Sequence, residues 1–297
     1  MTANFLMGTA AVFDNRRCSL GEGPVWDPAS GRVFWVDILS QKVRWKRLAD
    51  GEKGEFDMPS HVGAFLPGEG ATWWAFLVDG VYRFDEGSGD LELFAVFPHS
   101  LPPVSGVAQM RANDATVSPW GDVLCGTMPY NPEAFPCAGN LYLFNGRDLT
   151  PVLSNVTISN GIGWSRDQSK MFFVDTPTGR VDQFDVDEAG RLDNRRVFAT
   201  IDSTLGFPDG LAVDNEGFVW VALWAGGRIQ RLAPDGSLAG FIELPCRQVT
   251  SCAFVGEDLE TLIITTAAID DDANDAAGVT YFFKAPTAGV PSFRVKS

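Results

Sequence analysis

Apolar and polar residues alternate in short runs along the chain, interrupted at close intervals by Gly, Asp, Asn and Pro. Alternation over a few residues is the pattern of a half-buried strand, and no stretch keeps a helical period. The runs fall into six sets of three: "EGPVWD", "RVFWVDI", "KVRWKRL"; "HVGAFL", "TWWAFLV", "GVYRF"; "NDATVS", "DVLCGTM", "NLYLF"; "NGIGWS", "KMFFVD", "RVDQFDV"; "DGLAVD", "FVWVALW", "RIQRLA"; "TSCAFV", "TLIITTA", "TYFFKA". A further short strand follows five of them: "GEFDM", "LELFAVF", "PVLS", "RRVFATI" and "AGFIEL". Four strands recurring about every 50 residues are the period of a β-propeller, whose small sheets bury their faces only by stacking around an axis. The expected fold is all-β: a six-bladed β-propeller, four antiparallel strands per blade around a central channel, with residues 1–297 forming one domain. The sixth set lacks an outer strand. "AAVFD" near the N-terminus is one candidate for it, and "SFRVK" at the C-terminus is its rival. Two inserts, "HSLPPVSGVAQM" and "PYNPEAFPCAG", fall before and inside the third set, and inserts in repeat proteins collect on the binding face.

The apolar frame exposes a polar one. Aligning the first strand of each set on its fifth residue brings Trp26, Phe65, Val117, Trp164, Val213 and Phe254 into register. Four residues earlier stand Glu22, His61, Asn113, Asn160, Asp209 and Thr250, all polar. In a propeller the first strand of each blade lines the channel, so equivalent positions form a ring near one mouth. Glu22, Asp209, Asn160 and Asn113 make that ring rich in oxygen. Two adjacent carboxylates repel, and a divalent cation between them removes the repulsion. Calcium or magnesium suits an all-oxygen site, with manganese, iron and zinc also open. Taken singly, Pro208-Asp209-Gly210 reads as a turn in which Gly takes a positive φ. His61 reads equally as a wall residue, and Thr250 as a strand-end hydrogen bonder.

Charge and absent motifs narrow the function. The formal charge of −15 argues against nucleic acid and anionic membranes as partners. The five cysteines are scattered and form no CxxC pair, which suits reduced thiols in a cytoplasmic protein. The N-terminus lacks the basic start of a signal peptide, and no apolar run reaches the length of a membrane span. There is no HExxH, GxSxG or P-loop, and two histidines are too few for a multi-His zinc cluster. "DVDEAGRLDNRR" begins like an EF-hand loop but carries Ala189 and Arg196 at ligand positions, so it reads as a solvated turn, as does the acidic "IDDDANDAAG".

Four segments in order, "LGEGPVWDPASGRVFWVD", "RANDATVSPWGDVLCGTM", "ISNGIGWSRDQSKMFFVDT" and "FPDGLAVDNEGFVWVALWAGGRIQRLAPDG", resemble the sugar-acid lactonases of the SMP-30/regucalcin/gluconolactonase family over nearly the whole chain. The resemblance implies a six-bladed propeller with one divalent metal ion, held by Glu22, Asn160 and Asp209. Calcium, zinc, magnesium, manganese and iron all occur in the family. It further implies that Arg111 and Asn113 of the "RxND" motif contact substrate. Some relatives hold the sugar with an acidic residue just after "GTM"; here Asn131 stands there, with Glu133 a little later, so their substrate choice does not transfer.

The resulting expectation is metal-dependent hydrolysis of an aldonolactone to the open acid, with a small-molecule lactone as partner. Asp209 is the candidate base for the attacking water, and Arg111 meets the oxyanion or the hydroxyls. Asn113, Asn131, Tyr130 and His61 line the substrate side, with Tyr130 and Phe135 shaping the pocket. The alternatives are a non-enzymatic calcium-binding or protein-interaction propeller, and a metal-dependent esterase with another substrate. Arg111 beside the ring favours an enzyme, since a structural metal needs no adjacent guanidinium. The sequence leaves the oligomeric state open, a monomer being compatible with it.

Overall fold

A computed structural model describes residues 5–99 and 106–296. They form six sheets of antiparallel strands that run from inner to outer in chain order, except that N-terminal strands complete the outer edges of blades 5 and 6. The inner strands are Gly21–Asp27, Ala64–Pro67, Met110–Val117, Ser159–Trp164, Phe207–Val213 and Val249–Val255, for blades 1 to 6. Each inner strand packs beside those of its two neighbours, and the sixth returns to the first, so the ring is closed. Of the insert at 99–110, residues 100–105 lie outside the described residues. No helix among the described residues is long and apolar enough to cross a membrane.

The six aligned apolar residues are all buried, as a common register requires. The blades are held together by layers of large side chains between them. Phe34, Phe65 and Trp73 pack between blades 1 and 2, with Phe65 and Trp73 stacked at 4.8 Å. Trp220 meets Phe254 edge-on between blades 5 and 6. Burying one such ring stabilises the fold by roughly 1.5–3 kcal/mol, and each layer couples a blade to the next.

The N-terminus closes the ring. Ala11–Asp14 pairs antiparallel with Thr280–Lys284 as the outer strand of blade 6. Just before it, Leu6–Thr9 adds in parallel to Leu238–Glu243 as a fifth strand of blade 5. The rival C-terminal segment does something else. It crosses the mouth opposite the polar ring as a strap. Val290 N–H donates to Val213 O, Val295 N–H to Pro67 O and Lys296 N–H to Gly121 O. Arg294 donates to Asp27 Oδ1 at 2.6 Å and to the carbonyls of Gly68 and Gly70. Phe293 packs against the core between blades 3 and 4. "SFRVK" looked like a strand because its alternation is real, but the alternating faces are used to plug the channel. Arg294→Ala removes a partly buried ion pair and two charge-assisted bonds, costing about 1–3 kcal/mol. Calorimetry should show the melting temperature lowered by about 2–6 °C.

Candidate metal centre and active site

The ring is built by a repeated backbone irregularity. Pairing between the inner and second strands shifts register between Glu22 and Val25, Ala112 and Ala115, Ser159 and Ile162, Pro208 and Leu211, and Val249 and Ser251. A bulge puts two residues opposite one and re-aims a side chain. In blades 3, 4 and 5 the bulge contains Asn113, Asn160 and Asp209 and turns each toward the axial cavity; in blade 1 it falls just after Glu22, which stays paired with Val36, and in blade 6 it contains Thr250, which turns to the Gly21 carbonyl instead. Blade 2 has no such shift; its inner strand starts only at Ala64, and His61 sits in the preceding loop.

The turn reading of Pro208-Asp209-Gly210 is corrected here. These residues lie inside the strand Phe207–Val213, and Gly210 does not have a positive φ. Its lack of a side chain has another cause. A Cβ at Gly210 would sit 2.2 Å from Ser251 Oγ, and one at Gly161 would sit 2.6 Å from the carbonyl of Asp209. Glycine after the ring residue lets the inner strands of neighbouring blades approach closely enough to bring Asn160 and Asp209 together.

Glu22, Asn113, Asn160 and Asp209 line one cavity of about 330 Å³, together with Arg111, Tyr130 and Thr176. A directional relay runs along one side of it. Arg111 Nη1 donates to Asn113 Oδ1 at 2.6 Å, and Asn113 Nδ2 to Asn160 Oδ1 at 2.9 Å. Asn160 Nδ2 then donates to Thr176 Oγ1 at 2.8 Å. Each amide is thereby oriented, and the Thr176 hydroxyl proton is left to donate elsewhere. Arg111 also donates to Ala112 O. Its buried guanidinium keeps further N–H groups for a ligand.

The carboxylates have no such satisfaction. Among the described residues, Asp209 Oδ1 is buried without a hydrogen-bond partner, and Glu22 accepts only the amide of Gly23. Burial pushes the Asp209 carboxyl well above its ordinary range, with the charges of Glu22 and Asp114 adding to it and Arg111 opposing. Burial likewise raises Glu22, helped by Asp114. An unpartnered buried carboxylate oxygen facing another carboxylate is costly by itself. Two carboxylates and an amide oxygen suit a hard divalent cation, whose charge would reverse both shifts. The residues present therefore fit the metal that the sequence motifs imply.

The remaining positions sort clearly. Tyr130 lies at the mouth, its hydroxyl 2.8 Å from His61 Nδ1. His61 stands behind Tyr130 rather than among the lining residues, and burial, then Arg111, lowers its pKa. Thr250 Oγ1 donates to Gly21 O at 2.6 Å and is fully buried, fixing the backbone next to Glu22. Asn131 is exposed and outside the cavity wall; its Oδ1 accepts the Ala134 amide and caps a turn of the insert. Two residues escaped the sequence register. Thr176 comes from a turn between strands, where no alternation marks it. Asp114 shares the blade 3 bulge with Asn113 but faces the other way, into a separate channel cavity of about 130 Å³ that Val290 and Phe293 of the strap help to line. Burial raises its carboxyl to about 6.

A six-bladed propeller with an oxygen-rich ring at one mouth, backed by a buried arginine, defines a class, and the chain belongs to it: the profile of the SMP-30/Gluconolactonase/LRE-like region matches residues 20–268. Among its relatives, pentonolactonase XacC of Haloferax volcanii is 34% identical over 293 residues, covering 93% of this chain and 94% of the relative. The 6-deoxy-6-sulfogluconolactonase of Pseudomonas putida is 33% identical over 262 residues, covering 87% of each. Of solved structures, the calcium-binding protein regucalcin from Agrobacterium tumefaciens matches with a TM-score of 0.88 at 30% identity, over 99% of both chains.

Proposed function

We propose that this protein hydrolyses a sugar-acid lactone to the open-chain acid and depends on one divalent cation held by Glu22, Asn160 and Asp209. The observation that carries the reading is Asp209 itself: a fully buried carboxylate with an unpartnered oxygen, beside Glu22 and Arg111, in a cavity sized for one small ring. Relatives named as lactonases support the reaction class.

When bound, the cation polarises the lactone carbonyl and keeps the carboxylates ionised. The chain's own residues do the rest. Asp209 takes a proton from the water that attacks the carbonyl carbon. Arg111 uses its free N–H groups to hold the negative charge that develops on the carbonyl oxygen, already in place and needing no reorganisation. The bond from the carbonyl carbon to the ring oxygen then breaks, and the proton held by Asp209 passes to that oxygen. Asn113 and Asn160, fixed by the relay, hold their amides rigid throughout, and Thr176 directs its hydroxyl at the sugar. A purely structural calcium site leaves the remaining N–H groups of Arg111 without a task, which favours the enzyme over a binding propeller.

The test is a pH-indicator assay across pentono- and hexonolactones with purified protein, before and after exhaustive chelation, with elemental analysis of the same sample. Turnover that disappears with the metal and returns on adding it back is expected. Undiminished turnover at negligible metal content would overturn the metal dependence, and no turnover of any lactone would overturn the reaction.

A further inference from the structure

The cavity has two unlike sides. Beyond the ring residues, the charged and hydroxyl side chains lining it all come from blades 3 and 4, as Arg111, Tyr130 and Thr176, beside the apolar Met128 and Ile158 of the same blades. Blades 5, 6 and 1 contribute Trp224, Ile269, Leu39 and Leu20. The single polar group among these four side chains is the indole N–H of Trp224. They also form one body. Trp224, Ile269 and Leu39 pack against the same hydrophobic cluster that contains Leu20, so the wall is continuous and backed by core. Among the described residues that line the cavity, Arg111 is the one cation, and the segment 100–105 contains neither Lys nor Arg.

An aldonolactone has matching sides. From the carbonyl carbon, one direction around the ring leads to the hydroxyl-bearing carbons. The other leads to the ring oxygen and then to the carbon that carries the exocyclic group. With the carbonyl oxygen at Arg111 beside the ring of oxygens and the first hydroxyls on Tyr130 and Thr176, the exocyclic group faces Leu39, Trp224 and Ile269.

We propose that this apolar wall selects lactones whose exocyclic group is a methyl or is absent, over those bearing a hydroxymethyl or an anionic group. The inference rests on the lactonase reading above. A hydroxyl pressed against Leu39 and Ile269 gives up its water without a partner. An anion there meets no second cation, because Arg111 is already engaged by the charge that develops on the carbonyl oxygen, and the chain's charge of −15 repels it further.

The experiment uses four lactones of one ring size and one hydroxyl configuration, differing only in the exocyclic group: hydrogen, methyl, hydroxymethyl and carboxylate. The methyl and hydrogen compounds are expected to exceed the hydroxymethyl one in kcat/KM by about 10- to 100-fold, with the carboxylate lower still. In Leu39→Asn the methyl-to-hydroxymethyl ratio should shrink by at least about 5-fold; being a ratio, it is unaffected by loss of folded protein, and Ile269→Asn provides a second reading. The corresponding non-hydrolysable lactams, titrated by calorimetry, should rank in the same order in Kd. Equal or better use of the hydroxymethyl lactone, or a ratio unmoved in both variants, overturns the wall's role and leaves the lactonase reading standing. Absence of all turnover overturns the lactonase reading instead, and the lactam ranking then decides the wall: methyl-first binding supports it, while flat ranking or no binding overturns it.

Discussion

Asp209→Asn lowers kcat/KM by about 10²- to 10⁴-fold, the range for loss of a positioned proton acceptor, and at the same time makes the cation-free protein more stable. The two effects have one cause. Asp209 is buried, its Oδ1 has no partner, and Glu22 and Asp114 repel its charge. Asparagine keeps the shape and removes the charge. The activity loss reports the missing acceptor and metal ligand, while the gain in stability reports the relief of an unpaired buried carboxylate. A residue kept for packing would behave in the opposite way, costing stability and sparing activity.

The measurement is steady-state kinetics on the best lactone beside thermal unfolding in chelator, for wild type and variant. Full activity at unchanged metal content would remove Asp209 from the chemistry. A variant that melts below wild type without cation would show that the carboxylate is satisfied in a way this geometry does not contain. Asn160→Ala, which removes the amide ligand and breaks the relay from Asn113 to Thr176 without removing a charge, should lower activity without raising the stability of the cation-free protein.

Much of this site could be read before the structure because register is a strong constraint. Once Trp26, Trp164 and Val213 align as buried wall residues, the position four earlier reaches the same cavity in those three blades, and Glu22, Asn160 and Asp209 follow. The same logic failed where the backbone leaves the rule. Alternation assigns one axis-facing residue per pair, but the bulge between Ala112 and Ala115 frees both Asn113 and Asp114, so the pattern carries no signal for Asp114, the third carboxylate of the channel. His61 aligns with the ring in sequence, but its strand begins three residues later. Thr176 belongs to a turn, and Asn131 to an insert whose own hydrogen bonds fix it. The glycines after Asn160 and Asp209 were visible, but their reason was not: only neighbouring blades in contact reveal that a Cβ has no room. The strap was hidden for a similar cause, since its partners Asp27, Pro67, Gly121 and Val213 are scattered through the chain.

The largest expected effect besides activity is a pH dependence of stability that a cation erases. In the cation-free protein Glu22 is pushed from an ordinary 4.5 up to about 8, chiefly by burial, and Asp209 is raised as well. Between those values the folded state binds more protons than the unfolded chain, so stability falls as pH rises through the window. Carboxyls held low, such as Asp14 and Asp27, titrate below it and add no slope there. His61 and His99 act inside it and in the opposite sense, because burial lowers both. The comparison is therefore wild type against Glu22→Gln in chelator, which leaves the histidines in place in each. The two proteins should melt together near the acid end, and the variant should melt progressively above wild type toward pH 8. Adding a divalent cation at about 100 times its Kd should stabilise wild type at pH 8 by about 2.7 kcal/mol, or roughly 4–6 °C. The gain should shrink toward pH 5, where protons compete for the same oxygens, and Glu22→Gln should lose most of it at every pH. Parallel melting curves across the whole window, with a cation effect equal in both proteins, would mean that Glu22 neither bears an uncompensated charge nor holds the metal.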